Sequence, residues 1–224
     1  MAQDKKLEMV LFDMDGVIID SEPLWSEAER QLLTRRNLTY SEHLKPLLMG
    51  LDSREAVRIL RKHYDLDESV EDLVHERNQL VSELVQKHGQ PIPHATDLIR
   101  QVRNAGIKTV LASSSPYSLV EIVVDKLKIG PLFDLVLSGD EVSRGKPAPD
   151  IYLAAAKTLG VVPECCLVIE DAPNGVRAAK AAGMRCVAIT TGVREAELAA
   201  ADRVVDAFQG LDVVSLWAEI QEYS

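Results

Sequence analysis

The chain has 224 residues, 46% of them hydrophobic, enough for one substantial core with room for an insertion. Its 35 acidic residues outnumber 25 basic ones, and a net charge of -10 excludes a polyanion-binding surface, so no nucleic-acid partner is expected. No apolar run is long enough to cross a bilayer, no signal-peptide core precedes the first apolar segment, and three cysteines fit neither a zinc spacing nor an even disulfide framework. The expectation is a cytoplasmic protein with reduced core thiols and no membrane partner, as a monomer or weak homodimer.

In chain order, Met9-Val10-Leu11-Phe12 is continuously apolar, as a short strand covered on both faces of a parallel sheet requires. It ends on Asp13 and Asp15, with Gly16 at once behind them. Val17-Ile18-Ile19-Asp20 is too brief to count as an element. Ser21 then offers an N-cap with Pro23 just inside, and Leu24, Trp25, Ala28 and Leu32 recur at helical spacing to about Arg36. Further helices are expected from Ser41 to Met49, after Ser53, and from about Glu68 to Lys87, with no strand between them. Gly89-Gln90-Pro91-Ile92-Pro93 is a linker by composition and closes this helical block.

From His94 the rhythm becomes alternating helix and strand. A helix ends at Gly106, a strand from Ile107 to Ala112 runs into Ser113, and a helix follows from Tyr117 to Leu127. Leu135–Leu137, Leu167–Ile169 and Cys186–Thr190 read as strands, with helices at Pro149–Leu159 and Val176–Ala182 between them. Helices at Glu195–Ala201 and Asp212–Gln221 finish the chain, with an edge strand at Val204-Val205. This alternation predicts an α/β fold with a doubly wound parallel sheet, residues 1–20 and 91–224, and an all-helical insertion at 21–90.

Polar residues stand at the ends of separate strands: Asp13 and Asp15, Ser113, and Glu170 with Asp171, while Lys146 lies in a loop before a helix. Right-handed crossovers bring such ends to one edge of the sheet, where ligands bind. Four carboxylates in one crevice require a cation, and all-oxygen ligands suit a hard ion such as Mg2+. Lys146 then supplies a fixed positive charge, and Ser113 with neighbouring backbone N–H groups holds phosphate oxygens at a helix N-terminus.

These residues carry a resemblance. The segments Asp13-Met14-Asp15-Gly16-Val17, Leu111-Ala112-Ser113, Lys146-Pro147 and Glu170-Asp171 are similar to the four motifs of the haloacid dehalogenase superfamily, in order and over essentially the whole chain. The branch it resembles carries a helical cap inserted into a Rossmann-like core. The resemblance implies a magnesium-dependent phosphatase acting on a small phosphorylated metabolite such as a sugar phosphate. Asp13 would be the nucleophile, Asp15 the acid and base, and Lys146 the charge partner; Asp13, the backbone carbonyl of Asp15, Asp171 and Glu170 would surround the metal. Ser113, Ser114 and the cap residue Arg77 are the substrate-binding candidates.

Two other activities stay open, a β-phosphoglucomutase-type phosphosugar mutase and a non-catalytic metal-dependent binding protein on the same fold. Trp25 stands where the mutase carries a cap histidine and Pro116 where it carries a lysine, both departures that favour the phosphatase. His94 stands where relatives place a hinge glycine. Plainer readings compete for several residues. Ser115 and Ser114 can simply shape a turn and cap a helix, and Glu170 can be a buried structural acid. Trp25, Leu24 and Leu32 can be packing, Arg77 can face solvent, and the five histidines lie outside the motifs.

Overall fold

The computed structural model describes residues 5–191 and 194–222. In chain order, β1 (Met9–Phe12) and a two-residue strand β2 (Ile19–Asp20) precede four helices, α1 (Glu22–Thr34), α2 (Lys45–Leu48), α3 (Ser53–Tyr64) and α4 (Val70–His88). A second two-residue strand, β3 (Gln90–Pro91), leads to α5 (Ala95–Asn104) and β4 (Lys108–Ala112). Then follow α6 (Tyr117–Leu127), β5 (Leu135–Leu137), α7 (Asp150–Leu159), β6 (Cys166–Glu170), α8 (Pro173–Ala181), β7 (Arg185–Ile189), β8 (Arg203–Val205) and α9 (Val213–Glu222).

Six parallel strands pair in the order β5-β4-β1-β6-β7-β8, with β1 central and the chain crossing over it between β5 and β6. That reversal of winding direction opens a crevice at the strand ends beside β1. Successive strand residues serve opposite faces. Val10 and Phe12 join Leu111, Ile169 and Ile189 beneath α5, α6 and α9, while Met9 and Leu11 join Ala112, Val168 and Cys186 beneath α7 and α8. Both faces are covered, which is why β1 reads as an unbroken apolar run. The three cysteines are free and buried, and burial pushes the Cys166 thiol up to about 12, so it packs as an apolar group.

The first core cluster does not stop at α6. It continues through Val81 and Val85 of α4 to Leu32 and Leu33 of α1, and Lys126 on α6 donates to the Gln86 carbonyl of α4 at 2.9 Å. A smaller cluster of Leu44, Leu48, Ala56 and Leu60 holds α2 against α3.

The structure corrects several boundaries. The segment Val17–Asp20 does form an element: Ile19 pairs antiparallel with Pro91 and Asp20 with Gln90, so the expected linker is half of a two-strand ladder. The single helix expected over 41–49 is instead a 3-10 turn, Glu42–Leu44, followed by α2. Pro46 lies in the first turn of α2, where its missing N–H is tolerated; further into a helix it would break one. Helix α3 begins at Ser53 itself, capped by Asp52, which accepts from the N–H groups of Arg54 and Glu55. Ser69 caps α4, which starts at Val70. The expected helix at 195–201 is a 3-10 turn, Glu195–Leu198, with Leu198 alone buried, too little apolar contact to support a longer helix.

His94, immediately before α5, adopts φ 62 and ψ 2, the left-handed conformation that favours glycine. Its side chain is exposed, 3.5 Å from Asp97. Left-handed geometry costs a non-glycine residue roughly 1–2 kcal/mol. Replacing His94 with Gly should therefore leave stability unchanged or raise it by up to about 1 kcal/mol, after allowing for glycine's larger unfolded-state entropy. A β-branched residue fits worse, and His94→Val should lose about 1–2 kcal/mol. Urea unfolding midpoints of the two variants check the opposite signs.

Candidate active site

Four strand ends converge beside β1. Asp13 is fixed at the end of β1 by its N–H, which donates to the Ile169 carbonyl at 3.0 Å. Lys146 reaches in from the loop before α7, where the Lys146–Pro147 peptide is cis. Its ammonium uses all three N–H groups: on Asp13 Oδ1 at 2.5 Å, Glu170 Oε1 at 2.7 Å and the Ala112 carbonyl at 3.2 Å. Burial alone would pull this lysine down, but the charges of Asp13 and Glu170 outweigh it and hold the group protonated, above its ordinary range.

Glu170, the last residue of β6, is fully engaged. Oε1 also accepts from the Tyr152 hydroxyl at 2.7 Å, and Oε2 accepts from the backbone N–H of Asp171 and Ala172 at 3.0 and 3.2 Å. Gly175, packed against it, makes this possible, because a Cβ there would stand 1.6 Å from Oε1.

Asp171 is the opposite case. It is 4% exposed, and among the described residues its one donor is the Thr191 hydroxyl at 3.4 Å, which already donates to the Gly16 carbonyl at 2.7 Å. Burial, then the charges of Glu170 and Asp13, push its carboxyl far above the usual range. Burial likewise raises Asp13 against the pull of Lys146. Gly16, at φ 74, is pressed against Asp171: an added Cβ would lie 1.9 Å from Oδ2. One ligand oxygen each from Asp13, Glu170 and Asp171 falls within 4.8 Å of the others. A buried, anionic, all-oxygen set with an under-satisfied aspartate fits a hard divalent cation.

Asp15 is turned away from this cluster and held by four donors. Oδ1 accepts from Ser21 Oγ at 2.5 Å and Trp25 Nε1 at 3.0 Å; Oδ2 accepts from Ser115 Oγ at 2.8 Å and Ser113 Oγ at 3.3 Å.

This arrangement revises several sequence readings. Ser21 occupies the N-cap position of α1, but its side chain makes no cap bond. Its carbonyl already takes the Leu24 N–H at 2.9 Å and Pro23 has none to offer, which frees the hydroxyl for Asp15. Trp25 is more than packing, and Ser115 does not cap α6; the first N–H of α6 goes to Asp140 at 2.9 Å. Ser113 is fully buried and faces Asp15 and the Ser115 N–H, not the open cleft. Ser114 does line the cleft, and its buried Oγ has no partner among the described residues.

Arg77 lines the cleft but does not face solvent. It is 5% exposed, donates twice to Glu29 Oε1 at 2.6 and 3.1 Å, and stacks 4.2 Å over the Trp25 ring. Leu32 is buried in the core and Leu24 packs against it, as expected. All five histidines are exposed. Thr191 and Tyr152 carry no motif signal of their own; only the fold brings them to the acids.

The insertion completes the cleft with Glu22, Trp25, Glu29, Tyr40, Lys45 and Arg77. Burial, with the charges of Glu29 and Asp15, lifts Glu22 to about 7 although Lys45 lies 3.7 Å away. A carboxyl raised on folding binds protons more tightly in the folded state, so its penalty is absent below the unfolded value near 4.5 and complete above about 7. Glu22→Gln should therefore raise the melting temperature at pH 8 and leave it nearly unchanged at pH 4.5, in parallel thermal scans.

The sequence matches the family model described as haloacid dehalogenase-like hydrolase over residues 7–183. It is 38% identical over 182 residues to a phosphorylated carbohydrates phosphatase of Thermotoga maritima, covering 80% of this chain and 82% of that one. It is 36% identical over 191 residues to a probable pseudouridine-5'-phosphatase of Drosophila melanogaster, covering 83% and 82%. Among solved structures it is similar to a β-phosphoglucomutase of Clostridium difficile, with a TM-score of 0.86, 26% identity and 97% and 98% of the two chains covered. The chain belongs to the haloacid dehalogenase-like hydrolase family.

Proposed function

We propose that this protein is a Mg2+-dependent phosphatase that hydrolyses a small phosphorylated metabolite, a sugar phosphate, through an aspartyl-phosphate on Asp13. It is a phosphoric monoester hydrolase of its family. Residues 21–90 act as a cap over a core made of 1–20 and 91–224. The observation that carries the reading is the division of donors around the acids. Lys146 holds Asp13 by Oδ1 alone, and among the described residues no donor reaches Oδ2, which is left to attack phosphorus.

Asp171 and Asp13, with the backbone carbonyl of Asp15, would hold the cation, while Glu170, its acceptors taken, serves Lys146. Bound there, the cation neutralises charge on the phosphoryl oxygens as they approach the carboxylates. Ser114, with its unpartnered hydroxyl and adjacent backbone N–H groups, binds phosphate oxygens; Ser113 acts through Asp15 and Ser115. Asp15 gives its proton to the leaving alcohol oxygen as the P–O bond breaks. It then takes a proton from the water that attacks the phosphorylated Asp13, and inorganic phosphate departs. The buried thiols suit a reducing, cytoplasmic setting.

Hydrolysis of 4-nitrophenyl phosphate should require Mg2+, and Lys146→Ala should reduce turnover by about a hundredfold or more. With acetyl phosphate, whose leaving group needs no proton, Asp15→Asn should hold one persistent phosphate by intact-protein mass spectrometry and Asp13→Asn none. The opposite pattern reverses the two roles, and no metal-dependent turnover at all points to a binding protein. Phosphorus NMR separates the mutase, which would isomerise β-glucose 1-phosphate faster than it releases phosphate.

A further inference from the structure

The cap end of the cleft has a charge pattern that bears on what leaves after phosphate transfer. The indole of Trp25 spans the distance, its Nε1 on Asp15 and its face against the Arg77 guanidinium. A leaving group protonated by Asp15 therefore extends toward Arg77, Glu29, Tyr40, Glu22 and Lys45, which line the same cleft. Both cations there are already matched. Arg77 is spent on Glu29 at 2.6 Å, with both side chains under 7% exposed, and Lys45 faces Glu22 at 3.7 Å. The remaining cation of the cleft, Lys146, has all three N–H groups in use. Among the described lining residues none offers an unpaired positive charge.

In formal charge the two acids and two cations of this end cancel, and Asp15 beside them adds a further carboxylate, so nothing there attracts a second anion. What the cap end does offer is hydrogen bonding: the buried Tyr40 hydroxyl, and carboxylate oxygens of Glu22 and Glu29. Such a surface accepts and donates to hydroxyls and repels a second anion.

We infer that the cap end of the cleft selects monophosphates of neutral, polyhydroxylated leaving groups and rejects substrates with a second anionic group, with Glu29 as the specificity-determining residue. This rests on the phosphatase reading. It narrows that reading to phosphate esters of polyols and neutral sugars, against bisphosphates and phosphorylated acids. Glu29 acts by neutralising Arg77: without its charge the guanidinium becomes a ready site for a carboxylate or second phosphate.

The test compares glucitol 6-phosphate with 6-phosphogluconate, open-chain esters that differ only in a terminal CH2OH against a carboxylate. Both are measured by phosphate release with Mg2+, alongside 4-nitrophenyl phosphate. Wild-type kcat/KM should favour the polyol ester by at least about tenfold, as an unpaired like-charge contact costs. Glu29→Gln keeps an acceptor for Arg77 but removes the charge, and should shift that ratio at least about tenfold toward the phosphogluconate. Should Glu29→Gln fail to fold, Glu22→Gln frees Lys45 and should move the ratio the same way. Equal wild-type rates on the two esters, or an unmoved ratio in the variant that folds, would overturn the inference. A purely structural ion pair would lower all three activities together and leave the ratio fixed. Absence of 4-nitrophenyl phosphate turnover in the wild type would instead overturn the phosphatase reading beneath it.

Discussion

Everything around the cleft answers to one constraint, the burial of three carboxylates around one ammonium. Asp13, Glu170 and Asp171 each place an oxygen within 4.8 Å of the others, and Lys146 is the cation among them. Desolvating so much like charge is unfavourable, and the protein meets it in graded ways. Glu170 is satisfied completely, by the lysine, a tyrosine hydroxyl and two backbone N–H groups. Asp13 is half satisfied, and Asp171 hardly at all. Among the described residues the gradient runs from a fully paired acid to acids with acceptor capacity to spare. The two glycines pressed against Asp171 and Glu170 are part of the same solution, since any side chain there would occupy the carboxylate's own space.

Asp15 solves a different problem. Its partners come from both the core and the insertion: serines following β4 on one oxygen, Ser21 and Trp25 at the start of α1 on the other. Asp15 is thus positioned jointly by the sheet and by the helices above it. Because Trp25 also stacks on Arg77, which pairs with Glu29, one indole links Asp15 to the charged residues of the insertion.

The sheet was legible because its strands have both faces covered and so appear as short apolar runs bounded by turn residues. Helix α6 and strand β5 match their expected limits residue for residue. The β2–β3 ladder escaped because two residues show no period, and Pro91 argues against a strand anywhere but an edge. At the site, Asp13, Asp15, Glu170 and Asp171 stand out, since charged groups at the ends of buried strands contribute nothing to packing and are costly to desolvate, and Lys146 stands out as the cation such acids need. Ser21, Trp25 and Ser115 did not, because each has a sound local use as a cap, a packing ring or a turn residue. Their partner, Asp15, is chosen by tertiary geometry that local pattern does not encode. Arg77 is the sharpest instance: on a helical wheel it is one charge among many, and only the meeting of α1 with α4 buries it.

The antiparallel pairing of Ile19 with Pro91 and of Asp20 with Gln90 has a consequence for how such a chain can change over time. The strand that leaves the sheet and the strand that returns to it lie side by side. Seen from the core, everything between them is a single closed loop with its two ends already joined. Lengthening, shortening or replacing that loop costs little closure entropy and leaves the ends where they are. Asp13, Asp15, Lys146, Glu170 and Asp171 are all on the core's side of that junction. The charged residues that line the far side of the cleft can therefore be exchanged along with that loop, within the limit set by Ser21 and Trp25, which reach back to hold Asp15.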